Sequence, residues 1–60
     1  MPLVTIKMFE GRTLEQKRKV VRDVTDAIVR NIDCQPQAVH IDIVEMKREN
    51  LSQGGKLFCD

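Results

Sequence analysis

Residues 3–32 read LVTIKMF, EGRT, LEQKRKVVRDVTDAIVRNI, and the change of rhythm inside this stretch decides the fold. In the first part, Val4, Ile6 and Met8 fall on one side of the chain, and Thr5 and Lys7 on the other. A repeat of two is that of an extended chain, so Leu3 to Phe9 is expected to be a strand. Glu10-Gly11-Arg12 reads as a turn. Thr13 with Gln16 three residues on is a capping-box pattern, which starts a helix. From there to about Ile32 the apolar residues Leu14, Val20 or Val21, Val24, Ala27, Ile28 and Ile32 recur at steps of three and four. That spacing lays one apolar stripe along a helix. Arg18, Lys19, Arg22, Asp23, Asp26 and Arg30 occupy the other side.

Residues 31–36 read as a loop, because Pro36 stops a helix from continuing through it. Val39 to Met46 is rich in β-branched residues and is expected to be a second strand. Its alternate set Val39, Ile41 and Ile43 is apolar, and the opposing set His40, Asp42, Val44 and Met46 is mixed. Gly54-Gly55 is a turn signal ahead of a short apolar piece, Leu57-Phe58. The order strand, helix, strand, hairpin predicts a single α+β domain over residues 1–60, with parallel strands joined by a right-handed crossover. One helix covers only one face of such a sheet. Both strands also carry apolar residues toward the other face, so sheets of further copies are expected to cover it, giving a homo-oligomer through shared sheets.

Composition narrows the function. Sixty residues build one small domain that is marginal alone. Such scaffolds lean on disulfides, metals or oligomerisation. Cys34 and Cys59 form no CxxC motif and there is one histidine, which argues against a zinc finger and against a disulfide framework. Both thiols read as inert. Oligomerisation remains. Net charge is +1, and the aromatics are Phe9 and Phe58 alone, both expected to pack. Nucleic-acid binding is therefore disfavoured, and Lys17-Arg18-Lys19 with Arg22 reads as a solvated helix face. The sequence contains no signal peptide and no apolar run of membrane-spanning length, so a cytoplasmic, membrane-free location is expected. Lys7 and Glu45 read as surface or interface residues.

Pro2 carries the chemistry. It follows Met1, which is normally removed ahead of so small a residue, so the mature chain is expected to begin with a free prolyl amine. Inside a chain, a proline nitrogen is an amide without basicity. At the terminus it is a secondary amine. Free α-amino groups titrate at about 7.7–8.0, and a nearby cation or burial would bring one to the pH where general bases work best.

Pro2-Leu3-Val4, the block Glu10-Gly11-Arg12-Thr13 followed by Glu15-Gln16-Lys17, the strand ending Val44-Glu45-Met46, and Gly54-Gly55 together resemble the 4-oxalocrotonate tautomerase family over essentially the whole chain. The resemblance implies the tautomerase β-α-β fold, a hexamer built as a trimer of dimers (with a dimer left open), and no metal or organic cofactor. It implies a cytoplasmic isomerase of aromatic catabolism that moves a proton between the enol and keto forms of a small 2-hydroxydienoate or 2-oxo acid, such as 2-hydroxymuconate or phenylenolpyruvate. Pro2 matches the family's base. Arg12 matches its first arginine, which binds a substrate carboxylate and is expected to reach across a subunit boundary. A second arginine of the best-studied members is replaced by His40, and a pocket phenylalanine by Leu51. These two departures weigh against the dicarboxylate 2-hydroxymuconate and leave the tautomerase class standing. A tail glutamate that activates water in dehalogenating members corresponds to Gln53, which cannot act as a base. The alternatives are a non-catalytic oligomeric binding domain of the same fold, and a decarboxylase or hydratase of the same superfamily.

Overall fold

Strand β1 spans Leu3–Phe9, helix α1 Leu14–Ile32 and strand β2 His40–Met46. A hairpin of β3 (Ser52–Gln53) and β4 (Lys56–Leu57) closes the chain. The computed structural model describes all sixty residues, Met1 to Asp60. β1 and β2 are parallel, with Val4 opposite Ile41 and Ile6 opposite Ile43. This register puts both apolar alternations on the face that α1 covers, as the period of two requires.

The start of α1 is set by local chemistry. Thr13 accepts from the Gln16 N–H at 3.1 Å, and the Gln16 side chain accepts from the Thr13 N–H at 2.9 Å. Both halves of the capping box are therefore made, and two otherwise orphaned donors are satisfied. Thr13→Ala is expected to lose about 1 kcal/mol of stability. The denaturant midpoint, compared at one fixed protein concentration, checks it. At the other end the Asp33 N–H caps the helix on the Val29 carbonyl, with Asp33 itself in the left-handed region at φ 61°.

Three expectations need adjusting. Leu14 and Ile32, the ends of the apolar stripe, are 62% and 60% exposed. The reason is length: nineteen helical residues reach about 28 Å, whereas seven strand residues reach about 23 Å, so the helix overhangs the sheet. The loop before β2 contains a turn of 3-10 helix, Pro36–Ala38. Its closing bond, Val39 N–H to the Pro36 carbonyl at 3.1 Å, takes Val39 out of the strand, so β2 begins at His40. Finally, Glu45 shares the helix-facing side with Ile41 and Ile43 and accepts from Lys17 Nζ at 2.7 Å. Both side chains stay partly exposed, so the pair contributes at most about 1 kcal/mol.

The hairpin turn has Gly54 at φ 62° and Gly55 at φ 83°. Two consecutive positive φ values define a primed turn, which matches strand twist and selects glycine. The tail is tied back by an aromatic contact. The rings of Phe9 and Phe58 lie 5.3 Å apart at 47°, and the Arg48 guanidinium sits 4.4 Å from the Phe9 centroid. Such contacts contribute about 0.5–1.5 kcal/mol each beyond area burial.

No residue of the chain is buried. The molecule is a plate of 43 × 24 × 13 Å with a radius of gyration of 14.5 Å, against about 10 Å for a compact domain of this length. On the side away from α1, Leu3 is 76% and Val44 39% exposed, and Leu57 and Phe58 of the tail each 40%. One layer of helix lies on one layer of sheet, and apart from the tail's contact with Phe9 nothing within the chain covers the far face.

Candidate functional site

Pro2 lies immediately before β1 and is half-buried. Its carbonyl accepts the His40 N–H at 3.0 Å. His40 opens β2, its Cα paired with that of Leu3, and its ring is exposed. Pro2 and His40 are therefore neighbours at one end of the sheet. Met1, ahead of Pro2, is 80% exposed.

Arg12 stands at the opposite end. It lies in the turn between β1 and α1 and is exposed. The six steps from Leu3 to Phe9 span about 20 Å, so the Arg12 guanidinium and the Pro2 nitrogen of one chain stand at opposite ends of the same strand. Leu51, 36% exposed, follows the 3-10 turn Arg48–Asn50 beyond the end of β2 and is also remote from Pro2. Gln53 is exposed in β3. The four candidate residues thus split into Pro2 with His40 at one end, and Arg12 and Leu51 at the other.

A groove of about 390 Å³ opens beside Arg12, lined also by Met8, Gln16, Lys17, Lys19 and Val20. Met8 and Val20 supply apolar surface. Lys17 is held by Glu45, which leaves Arg12 and Lys19 as its unpaired cations. An apolar wall beside cations suits a short hydrocarbon acid, because guanidinium binds carboxylate through two parallel hydrogen bonds. Sequence reading missed Gln16 and Lys19 here. The signal is their spacing, since residues 16 and 19 lie one turn apart on α1; Gln16 is expected only in the capping box and Lys19 only on a solvated helix face.

The family model described as "Tautomerase enzyme" matches residues 2–60. The chain belongs to the tautomerase family. It is 40% identical over 60 residues to the 2-hydroxymuconate tautomerase of Bacillus subtilis, covering 100% of this chain and 97% of that one. Among solved structures it resembles a 4-oxalocrotonate tautomerase isozyme from Methylibium petroleiphilum, with TM-score 0.93, 40% identity and coverage of 97% and 91% of the two chains. It also resembles a heterohexamer 4-oxalocrotonate tautomerase from Chloroflexus aurantiacus, with TM-score 0.93, 30% identity and coverage of 100% and 97%. The β-α-β unit with parallel strands and a small antiparallel hairpin is the tautomerase fold. Family membership makes the chain an isomerase of the tautomerase type. No helix is long and apolar enough to cross a membrane.

Proposed function

We propose that this tautomerase interconverts the enol and keto forms of a small 2-hydroxydienoate or 2-oxo acid of the 2-hydroxymuconate or phenylenolpyruvate type, with Pro2 as the group that takes and returns the proton. The placement of Pro2 carries the reading. Its carbonyl is pinned by the His40 N–H at the end of a sheet, and the residue ahead of it is exposed and open to removal. With Met1 gone, the nitrogen becomes a secondary amine. An amine can accept the hydroxyl proton of the enol and then, as its conjugate acid, deliver a proton to carbon, so one group serves both steps.

The substrate carboxylate goes to Arg12, with Met8 and Val20 against the hydrocarbon. Since Pro2 and Arg12 of one chain lie about 20 Å apart, a complete site takes Pro2 from one copy and Arg12 from another. The uncovered sheet face and the lack of any buried residue support such an assembly, and so does the heterohexamer of the Chloroflexus aurantiacus relative. A hexamer built as a trimer of dimers fits best, with a dimer as the smaller alternative. His40 lies beside the reacting oxygen, and Leu51 contributes apolar wall. Two free thiols fit the reducing cytoplasm.

The test pairs intact mass spectrometry with an ultraviolet assay of ketonisation of 2-hydroxymuconate and of phenylenolpyruvate. The expected result is a mass without methionine and turnover of at least the monocarboxylate. A mass without methionine and no turnover of either enol overturns the proposal and favours a binding domain of the same fold.

A further inference from the structure

The side chain of Gln16 is oriented by the helix it starts. A backbone N–H only donates, so the Gln16 atom 2.9 Å from the Thr13 nitrogen is the carbonyl oxygen, Oε1. The amide nitrogen, Nε2, is then the other arm, with two hydrogens to give. The bond to Thr13 is the only one this side chain makes within the chain, since the other half of the capping box uses the Gln16 backbone N–H. The peptide that holds Oε1 joins Arg12 to Thr13, so the amide lies against the Arg12 backbone. Both side chains line the groove that Met8 and Val20 make apolar. No carboxylate lines that groove, and Glu15, the acidic residue of the first turn, is paired with Arg18. An oriented, neutral donor without a partner therefore stands beside Arg12.

We propose that Gln16 Nε2 donates a hydrogen bond to the substrate carboxylate held by Arg12, and so is a further substrate-binding residue of this site. The inference rests on Arg12 as the carboxylate-binding group and deepens that reading. A carboxylate offers about four acceptor positions, and a bidentate guanidinium takes two of them. A neutral amide fills a third without adding charge to a groove that already holds Arg12 and Lys19. The residue type fits this use. A capping box works with glutamate or glutamine, and for the helix alone a negative charge in the first turn is the better choice. Glutamate here would set a second carboxylate beside that of the substrate and offer Arg12 a rival partner. Glutamine closes the same cap and presents N–H groups instead. One side chain thus fixes the start of α1 and, through the same bond, the position of a donor beside Arg12.

Variants separate the donor from the cap. KM is read on phenylenolpyruvate, and Kd by calorimetric titration with 3-phenylpropanoate, a carboxylate with no enol or 2-oxo group to react, both on the assembled protein lacking Met1. Gln16→Met removes the donor without adding charge. It should raise KM and Kd about tenfold with kcat little changed, the lower end for a hydrogen bond to a charged group because the side chain is exposed. Gln16→Glu keeps the cap, so its denaturant midpoint should hold while KM and Kd rise further than in Gln16→Met. Thr13→Ala breaks the other half of the capping box and leaves the Thr13 N–H to hold Oε1. It should lose stability yet bind the acid as tightly as the wild type. Unchanged KM and Kd in Gln16→Met or Gln16→Glu, with binding weakened in Arg12→Ala, would overturn the inference alone. So would a binding defect in Thr13→Ala as large as that in Gln16→Met. Unchanged binding in Arg12→Ala, or no binding of 3-phenylpropanoate by the wild type, would overturn the carboxylate site itself.

Discussion

Turnover of an enol acid should fall by about 10²–10⁴-fold when the Pro2 nitrogen is held in a peptide bond, the loss that follows removal of a positioned general base. The comparison is between a chain extended by a short Gly-Ser peptide ahead of Pro2 and the same chain cut back to Pro2. Only the basicity of one nitrogen differs in kind. The amide form has its lone pair delocalised into the carbonyl and cannot accept a proton at neutral pH. Pro2→Ala is the second arm. It keeps an amine but loses the ring that orients the nitrogen, so it should lie between the two. Far-ultraviolet circular dichroism and the size of the assembly should be unchanged throughout, because the Pro2 carbonyl bond to His40 does not involve the nitrogen. Equal rates for the blocked and free chains would remove Pro2 from the chemistry.

Refolding equal amounts of the blocked chain with an Arg12→Ala chain should restore about a quarter of wild-type activity, although each alone is strongly impaired. The reason is the length of β1. Pro2 and Arg12 of one chain stand at opposite ends of a seven-residue strand, about 20 Å apart, whereas a bound dienoate is only a few bonds long. A site drawing Pro2 from one copy and Arg12 from another finds both intact by chance about once in four. Arg12→Ala alone should lower kcat/KM by about 10–100-fold, the scale of a lost charge-assisted hydrogen bond. No recovery on mixing, with co-assembly confirmed by native mass spectrometry, would mean that the two residues do not serve one shared site.

Much of the fold was legible because it is written in local rules. Thr13 and Gln16 announce the start of α1 three residues apart. The alternation of Val4, Ile6 and Met8 identifies β1 and its helix-facing side. Gly54-Gly55 marks a turn that only positive φ can make. Each of these depends on neighbours within four residues, the range over which backbone geometry and side-chain spacing speak directly. The misreadings come from longer range. Leu14 and Ile32 belong to the apolar stripe, yet they overhang a sheet shorter than the helix, and strand length against helix length is a tertiary comparison. Glu45 is expected at the surface or at an interface, yet it pairs with Lys17, twenty-eight residues earlier. Val39 left the strand because Pro36 offered its N–H a closer partner.

The amino-acid sequence by itself determined the elements, their order, the parallel pairing and the two residues, Pro2 and Arg12, on which the proposed chemistry rests. Pattern and spacing suffice for that, since hydrophobic period and capping chemistry act along the chain. Only the tertiary structure decided where those residues stand. It put His40 beside Pro2 through one backbone hydrogen bond, turned the imidazole so that Nδ1 faces Ala38, and sent Arg12 to the far end of β1. It also left every residue at least partly exposed. A two-layer plate 13 Å thick has no interior of its own, because one helix can remove water from only one side of a sheet.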